Sequence, residues 1–164
     1  VAYDPSEAAR TKYAEEMQDK EGIGVHATSV PREAVVDCDV VVTSGPIARV
    51  PYATIPAGWL APGALALSID YASAWSPAAL AEFDRVYTDD VPQLESERRG
   101  GYFAALPEPY GDLGEVVVGK KPGRVTHAER LMACLLGLAA EDVVVARLVV
   151  ERAVAAGIGM WLPR

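Results

Sequence analysis

The sequence predicts an α/β fold in which a parallel β-sheet is flanked by helices on both faces. Short apolar segments alternate with segments of helical spacing, the links between them are short, and several apolar segments end in a polar residue. Such alternation is typical of βαβ units, in which a helix returns the chain to the start of the next parallel strand. A length of 164 residues suits about one domain with a substantial core.

Five segments have the length and composition of strands. In chain order they are residues 1–3 (VAY), 25–29, 39–43 (DVVVT), 64–70 (ALALSID) and 85–88 (RVYT). The DVVVT segment is an uninterrupted β-branched run, so we expect it to be buried on both faces of the sheet.

Helices are predicted between these strands from their end signals and from apolar spacing. Ser6 is the expected cap of a helix over residues 6–19, which Gly22 ends. Shorter helices are expected over residues 30–37 and 76–83.

The last part of the chain has a different pattern. Two helices are predicted over residues 126–138 and 139–156, and the second is apolar on almost all sides. Such a helix is expected to pack against a second domain or a second subunit. Glu141-Asp142 near its start are interpreted as capping or interface residues, where negative charge suits the helix dipole.

Composition narrows the classes of function. The net charge is −8 and the lysines and arginines form no extended run, which argues against nucleic-acid or anionic-membrane binding. Cys38 and Cys134 are expected to be buried, reduced thiols. With only His26 and His127 beside them, no metal site and no hydrolase triad is predicted.

The chain has no apolar segment of 18 residues and no signal-peptide pattern, so we expect a cytoplasmic protein. It begins directly in a strand-like VAYD. That start suggests a fragment, a split protein or a numbering that begins inside a longer one.

Three polar sites follow strands and have two interpretations each. Asp4 matches the acidic residue that binds the ribose of NAD in a Rossmann domain, or it forms an ordinary turn with Pro5. Thr43-Ser44-Gly45 either allow the close approach of a cofactor or make a simple strand-to-loop turn.

Asp70 is either a general acid or base beside Tyr71 and Trp75 or a capping aspartate. Asp89-Asp90 occupy the same position on the next strand and are interpreted as a solvated loop.

Several segments together resemble the ornithine cyclodeaminase and mu-crystallin family, which also includes archaeal-type alanine dehydrogenases and ketimine reductases. The resembling segments, in the family's order, are DVVVTSG (39–45), WLAPGA (59–64), LSIDYASAW (68–75), YTDDVPQ (87–93), LGEVVVGKKPGR (113–124) and residues 137–163. The last two are the most specific, because a generic Rossmann domain has no reason to carry either.

This resemblance implies a partial NAD-binding Rossmann domain over residues 1–125 and a helical tail over 126–164 that returns to a substrate and dimerisation domain. It also implies that the glycine loop lies upstream, so we expect nucleotide binding by the 164 residues alone to be very weak. It implies that Asp70 is the catalytic acid or base, and that Asp4, Thr43 and Ser44 bind the cofactor. Leu135 stands where the family usually has Ser or Asn.

The implied reaction is hydride transfer from an amino acid to NAD⁺, followed by deamination with ring closure, hydrolysis of the imine or its renewed reduction. A homodimer acting on an amino acid or imine is expected. The alternative is a non-catalytic remnant or a ligand-binding member of the same fold.

Overall fold

The computed structural model describes residues 1–162, and the strands in this part of the chain pair in parallel. Its seven strands are β1 (Ala2–Tyr3), β2 (Ala27–Thr28), β3 (Val40–Thr43), β4 (Leu65–Ser68), β5 (Arg85–Thr88), β6 (Gly111–Asp112) and β7 (Leu131–Cys134). The five α-helices within the same residues are α1 (Glu7–Glu21), α2 (Pro77–Leu80), α3 (Val91–Arg99), α4 (Leu113–Val117) and α5 (Ala139–Ala155). This arrangement confirms the predicted Rossmann-like α/β class.

The strands form two parallel sheets. Strands β1 and β2 pair with each other, and the other five lie in the order β3-β4-β7-β5-β6. Strand β7 therefore lies inside the larger sheet, where Leu131 is in register with Leu65 on one side and with Arg85 on the other.

The helix predicted over residues 126–138 is wrong, because Leu131–Cys134 is this central strand. A four-residue apolar run fits either a strand or a buried helix turn, and its position between two strands decides the matter. Since β7 belongs to the sheet, we propose that the domain boundary lies after Cys134 rather than at residue 126.

One face of the larger sheet carries the core. Val41, Ala66, Met132 and Val86 form one row across four strands, and all four are buried. Leu80 of α2, Leu94 of α3 and the loop residues Trp75 and Phe83 belong to the same apolar cluster. The row and the two helices thus remove this face from water.

The opposite face is open at strand β3. Val40 and Val42 are 51% and 56% exposed, whereas Val41 between them is buried. The prediction that DVVVT is buried on both faces is therefore wrong within the described residues. Strand β3 is the edge of its sheet, and alternation of exposed and buried residues is the pattern of a strand covered on one side.

The helix ends follow the capping signals of the sequence. Ser6 accepts a hydrogen bond from the Ala9 amide at the start of α1, and Gly22 ends that helix with a φ of 66°. Ser76 caps α2 in the same way.

Helix α5 confirms the final predicted helix to within a residue, and it has no buried residue. None of the helices in residues 1–162 is long and apolar enough to span a membrane.

Candidate functional site

The carboxyl ends of four strands place a buried polar row at one edge of the sheet. Thr43, Ser68, Cys134 and Thr88 are the last residues of β3, β4, β7 and β5, and they are in register. All four are buried. Ligands of open α/β sheets bind outside such carboxyl ends, so this edge is the place to look for a site.

Asp70 lies directly above this row and is fully buried. Its Oδ1 accepts hydrogen bonds from the hydroxyls of Thr43 and Ser68, both at 2.8 Å. Its Oδ2 accepts from the Tyr52 hydroxyl at 3.0 Å and from the Ala74 amide at 3.2 Å. The carboxylate is therefore held by four donors, which compensate its removal from water.

Thr43 connects this carboxylate to the core. While its hydroxyl donates to Asp70, it accepts a hydrogen bond from the Trp75 indole Nε1 at 3.3 Å. The predicted aromatic neighbour Trp75 is fully buried and packs edge-on against Phe83, with ring centroids 5.2 Å apart. The hydroxyl of Thr43 is thus engaged inside the protein, whereas Ser44 is exposed.

The turn after Asp70 has an unusual backbone. Tyr71 and Ala72 have φ angles of 54° and 57°, in the left-handed region that non-glycine residues seldom adopt. The Ala72 amide donates to the Ser68 hydroxyl at 2.8 Å, and the Ala74 amide donates to Asp70. These bonds to Ser68 and Asp70 hold the turn in its strained conformation.

Tyr52 is a site residue that the sequence did not reveal. It lies in the proline-rich segment after β3, 18 residues before the carboxylate to which it donates. Burial and the negative charge of Asp70 raise the pKa of the Tyr52 hydroxyl, so it remains a neutral donor. A single tyrosine in a proline-rich loop gives no local signal for such a contact.

Asp89 organises the start of the tail. Its Oδ2 accepts hydrogen bonds from the Leu136 and Gly137 amides at 2.8 and 2.7 Å, which fixes the turn between β7 and α5. Asp90 caps α3 by accepting from the Gln93 amide at 2.7 Å. The pair lies in the loop between β5 and α3, as interpreted, but it is half-buried, because both carboxylates also accept hydrogen bonds from backbone donors.

A cavity of about 510 Å³ lies at the same sheet edge. Its walls are mostly apolar, with Asp89 and Glu141 as the acidic residues. The complete lining is Ile47, Ile69, Tyr71, Asp89, Leu113, Gly114, Leu135, Leu136, Gly137, Leu138 and Glu141. A largely apolar cleft with a few polar groups has the character of a small-molecule site.

Asp4 forms a turn with the residues that follow it, which is one of the two roles predicted for it. It follows β1, and its Oδ1 accepts a hydrogen bond from the Ser6 amide at 2.7 Å at the entry to α1. Its role toward a ribose stays a prediction. Glu141 and Asp142 lie in the first turn of α5, but the cap position is Leu138, which makes no side-chain capping bond.

The remaining candidate groups lie apart from Asp70 or are inert. His26 is exposed beside Glu33. Both cysteines are unpaired: Cys38 is half-buried, and Cys134 is buried. Burial, with the charges of Asp70 and Asp89, raises the pKa of the Cys134 thiol to about 12, so it stays protonated. Within residues 1–162, no group of three His, Cys, Asp or Glu side chains is placed to hold a metal ion.

The sequence profile of the ornithine cyclodeaminase/mu-crystallin family matches residues 1–157. The chain belongs to this family. The match covers both sheets and α5, and it confirms the resemblance stated above.

Curated relatives are similar to this chain at 26–29% sequence identity. The alanine dehydrogenase of Archaeoglobus fulgidus is 29% identical over 96% of the chain and 50% of its own length. A Δ(1)-pyrroline-2-carboxylate reductase of Bacillus cereus is 26% identical over 97% of the chain and 51% of its own length. The chain thus spans about half the length of the curated relatives it matches.

Solved structures show the same fold. The Δ(1)-pyrroline-2-carboxylate reductase of Thermococcus litoralis, in complex with NADH and L-proline, superposes with a TM-score of 0.78 at 26% identity, over 98% of this chain and 51% of that one. An archaeal alanine dehydrogenase dimer with bound NAD superposes with a TM-score of 0.75 at 25% identity, over 99% and 51%.

Proposed function

We propose that the protein containing this chain is an NAD-dependent enzyme that converts an amino acid to its imine or reduces the imine. The observation that carries the proposal is Asp70, a fully buried carboxylate at the carboxyl end of β4, on the sheet edge that holds the cavity. Bound NAD⁺ would accept the hydride from the α-carbon. Asp70 would supply the general acid or base, because a carboxylate in such a site can exchange a proton.

The residues of this chain fit part of an NAD site. Asp4 follows β1 at its carboxyl end, and Ser44 is exposed after β3. A carboxylate at Asp4 would accept hydrogen bonds from the ribose hydroxyls and repel a 2′-phosphate, which favours NAD over NADP. The largely apolar cavity suits one face of the flat nicotinamide ring, and Asp89 and Glu141 in its walls suit the positive charge of the oxidised ring. Thr43 would use its hydroxyl to hold Asp70 rather than to bind the cofactor, because that hydroxyl is already engaged by Asp70 and Trp75.

Within this class, we propose that hydride transfer gives an imine. The imine would then close a ring with loss of ammonia, be released and hydrolysed, or be reduced again. The alternative is a binding protein without turnover, and one observation favours it. Both oxygens of Asp70 are occupied by internal donors, so the carboxylate touches no substrate directly in this conformation.

Cofactor titration tests the proposal. Isothermal titration of the full-length protein is expected to show NAD⁺ binding at least about tenfold tighter than NADP⁺. Asp4→Asn should reduce this preference, because asparagine keeps the acceptor for the Ser6 amide but loses the charge. Asp19→Asn on the exposed side of α1 is the matched control.

Turnover is then measured with L-alanine, L-ornithine and Δ(1)-pyrroline-2-carboxylate as probes. Binding of neither nucleotide would refute the proposal. Binding of NAD⁺ without conversion of any amino acid or imine would establish the alternative of a binding protein.

We also propose a homodimer in which a second subunit covers α5. Seven of its apolar side chains are exposed: Val143, Val144, Val145, Leu148, Val149, Val150 and Val154. Sedimentation of the full-length protein should show a dimer, and Val145→Lys with Val149→Lys should raise its dissociation constant at least about tenfold. The control is Gln18→Lys on the exposed surface of α1. A dimer unchanged by the double substitution would exclude this face as the interface.

A further inference from the structure

Asp70 has one partner that reaches solvent. The hydroxyls of Thr43 and Ser68 and the Ala74 amide all belong to buried residues. Tyr52, in contrast, is 44% exposed while its hydroxyl donates to Asp70 Oδ2 at 3.0 Å. Among the donors that residues 1–162 provide, Tyr52 is therefore the one whose side chain extends from the carboxylate to the surface.

Gly45 allows this contact. A Cβ atom at position 45 would overlap the Tyr52 hydroxyl oxygen and would lie 3.9 Å from Asp70 Oδ2. Because of this overlap, any side chain at position 45 must displace the phenol. Gly45 is thus a positioning residue for Tyr52.

The loop that carries Tyr52 is fixed to the turn that follows Asp70. The Ala53 amide donates to the Ser73 carbonyl at 3.2 Å, and the Ile55 amide donates to the Ala74 carbonyl at 2.8 Å. The Ala48 amide also donates to the Ser73 hydroxyl at 2.9 Å. Backbone bonds on both sides of Tyr52 hold the phenol in place before any substrate binds, which is what a catalytic group requires.

We propose that Tyr52 is a catalytic residue that relays a proton between buried Asp70 and the nitrogen of the amino-acid or imine substrate. The inference rests on the proposed function. When Asp70 acts as base, an N–H proton of the substrate binds the Tyr52 oxygen as the phenolic proton passes to Asp70 Oδ2. In the direction of imine reduction, Asp70 returns its proton to Tyr52 as the phenolic proton binds the imine nitrogen. The phenol begins and ends neutral in both directions, and the hydride moves separately to or from the nicotinamide.

The raised pKa of Tyr52 agrees with this scheme. A phenol that ionised on its own would have to bear a negative charge beside Asp70, whereas a relay that gains one proton as it loses another bears none. The Cys134 thiol, whose pKa is raised by burial and by the charge of Asp70, stays protonated.

The kinetic test uses full-length protein and compares Tyr52→Phe with Tyr13→Phe, a hydroxyl deletion on the exposed surface of α1. Tyr52→Phe is expected to lower kcat about 10²-fold, with KM and the NAD⁺ dissociation constant changed less than about threefold. Tyr13→Phe should leave all three unchanged. A kcat within about threefold of wild type in Tyr52→Phe, in an enzyme that turns over, would overturn the relay and leave the proposed function standing.

Gly45→Ala separates geometry from chemistry, because both Tyr52 and Asp70 remain. Its control is Gly24→Ala, where an added Cβ meets no atom within 4 Å. Gly45→Ala should reproduce most of the kcat loss, and the ¹³Cζ resonance of Tyr52 should titrate nearer the ordinary tyrosine value of about 10 than in wild type. This resonance is measured without cofactor or substrate, and titration of wild-type Tyr52 at the ordinary value would overturn the inference. Absence of both NAD⁺ binding and turnover in wild type would instead refute the proposed function, and the relay with it.

Discussion

Replacement of Asp70 by asparagine is expected to lower turnover by about 10²- to 10⁴-fold and to change NAD⁺ affinity by less than about threefold. The carboxylate is the proposed acid or base, while cofactor binding depends on other residues. The amide retains the shape of the carboxyl group but neither carries its charge nor exchanges its proton at neutral pH. Turnover is measured as kcat and kcat/KM of the full-length protein.

The surroundings of Asp70 decide how an asparagine would sit. The Ala74 amide can only donate, so the asparagine carbonyl must take the place of Oδ2, where Tyr52 also donates. The amide nitrogen then faces the hydroxyls of Thr43 and Ser68. Both hydroxyls can rotate and accept a hydrogen bond, so we expect the fold to survive this substitution.

Alanine at position 70 is expected to act differently. It would leave buried donors without partners, at about 1–3 kcal/mol for each, and would release the strained turn at Tyr71 and Ala72. Loss of activity in Asp70→Ala would therefore not separate chemistry from folding, whereas loss of activity in Asp70→Asn does.

The matched control for Asp70→Asn is Asp39→Asn, which changes an exposed carboxylate before β3. Turnover of Asp70→Asn within about threefold of wild type would remove Asp70 from the mechanism.

The sequence predicted what local patterns determine. Ser6, Gly22 and Ser76 act through hydrogen bonds within a few residues, so the helix ends they predict are observed. The polar residues after strands are also local features, because parallel strands end at a shared edge. This is why Thr43 and Asp70 are both candidates, each on its own strand end, although 27 residues separate them.

What the sequence could not predict depends on contacts between distant segments. Residues 131–134 (LMAC) form a strand because they pair with β4 on one side and β5 on the other. No property of the four residues alone specifies this pairing. The sequence around Asp89 gives no sign of the hydrogen bonds that it accepts, because its donors, the Leu136 and Gly137 amides, lie 47 and 48 residues later. Tyr52 reaches Asp70 only through the folding of a proline-rich loop against Ser73 and Ala74.

The same reasoning explains the outcome at strand β3. A β-branched run is a reliable sign of a strand, but whether its second face is buried depends on which element packs there. Val40 and Val42 remain exposed because no described element covers them. Burial on both faces is therefore a property of a strand's neighbours, as the completely buried β7 shows.

Replacement of Trp75 by alanine is expected to lower the free energy of unfolding by about 3–5 kcal/mol. Trp75 is fully buried, packs against Phe83, and donates its indole N–H to Thr43. Alanine would leave a large cavity in the core beneath the polar row and would deprive Thr43 of a donor. The measurement is urea-induced unfolding followed by far-ultraviolet circular dichroism, which does not depend on tryptophan emission.

Tyr13→Ala is the control, because that ring is 49% exposed on α1 and its removal should change stability by less than about 0.5 kcal/mol. The stability of Trp75→Phe should fall between those of Trp75→Ala and Tyr13→Ala, since the smaller ring fills part of the space but makes no bond to Thr43. Equal stability of Trp75→Ala and Tyr13→Ala would show that Trp75 contributes little to the core. Thr43 joins Trp75 to Asp70 through its hydroxyl. We therefore expect kcat of Trp75→Phe to fall as well, and the size of that fall would show how much the position of the Asp70 carboxylate depends on the core.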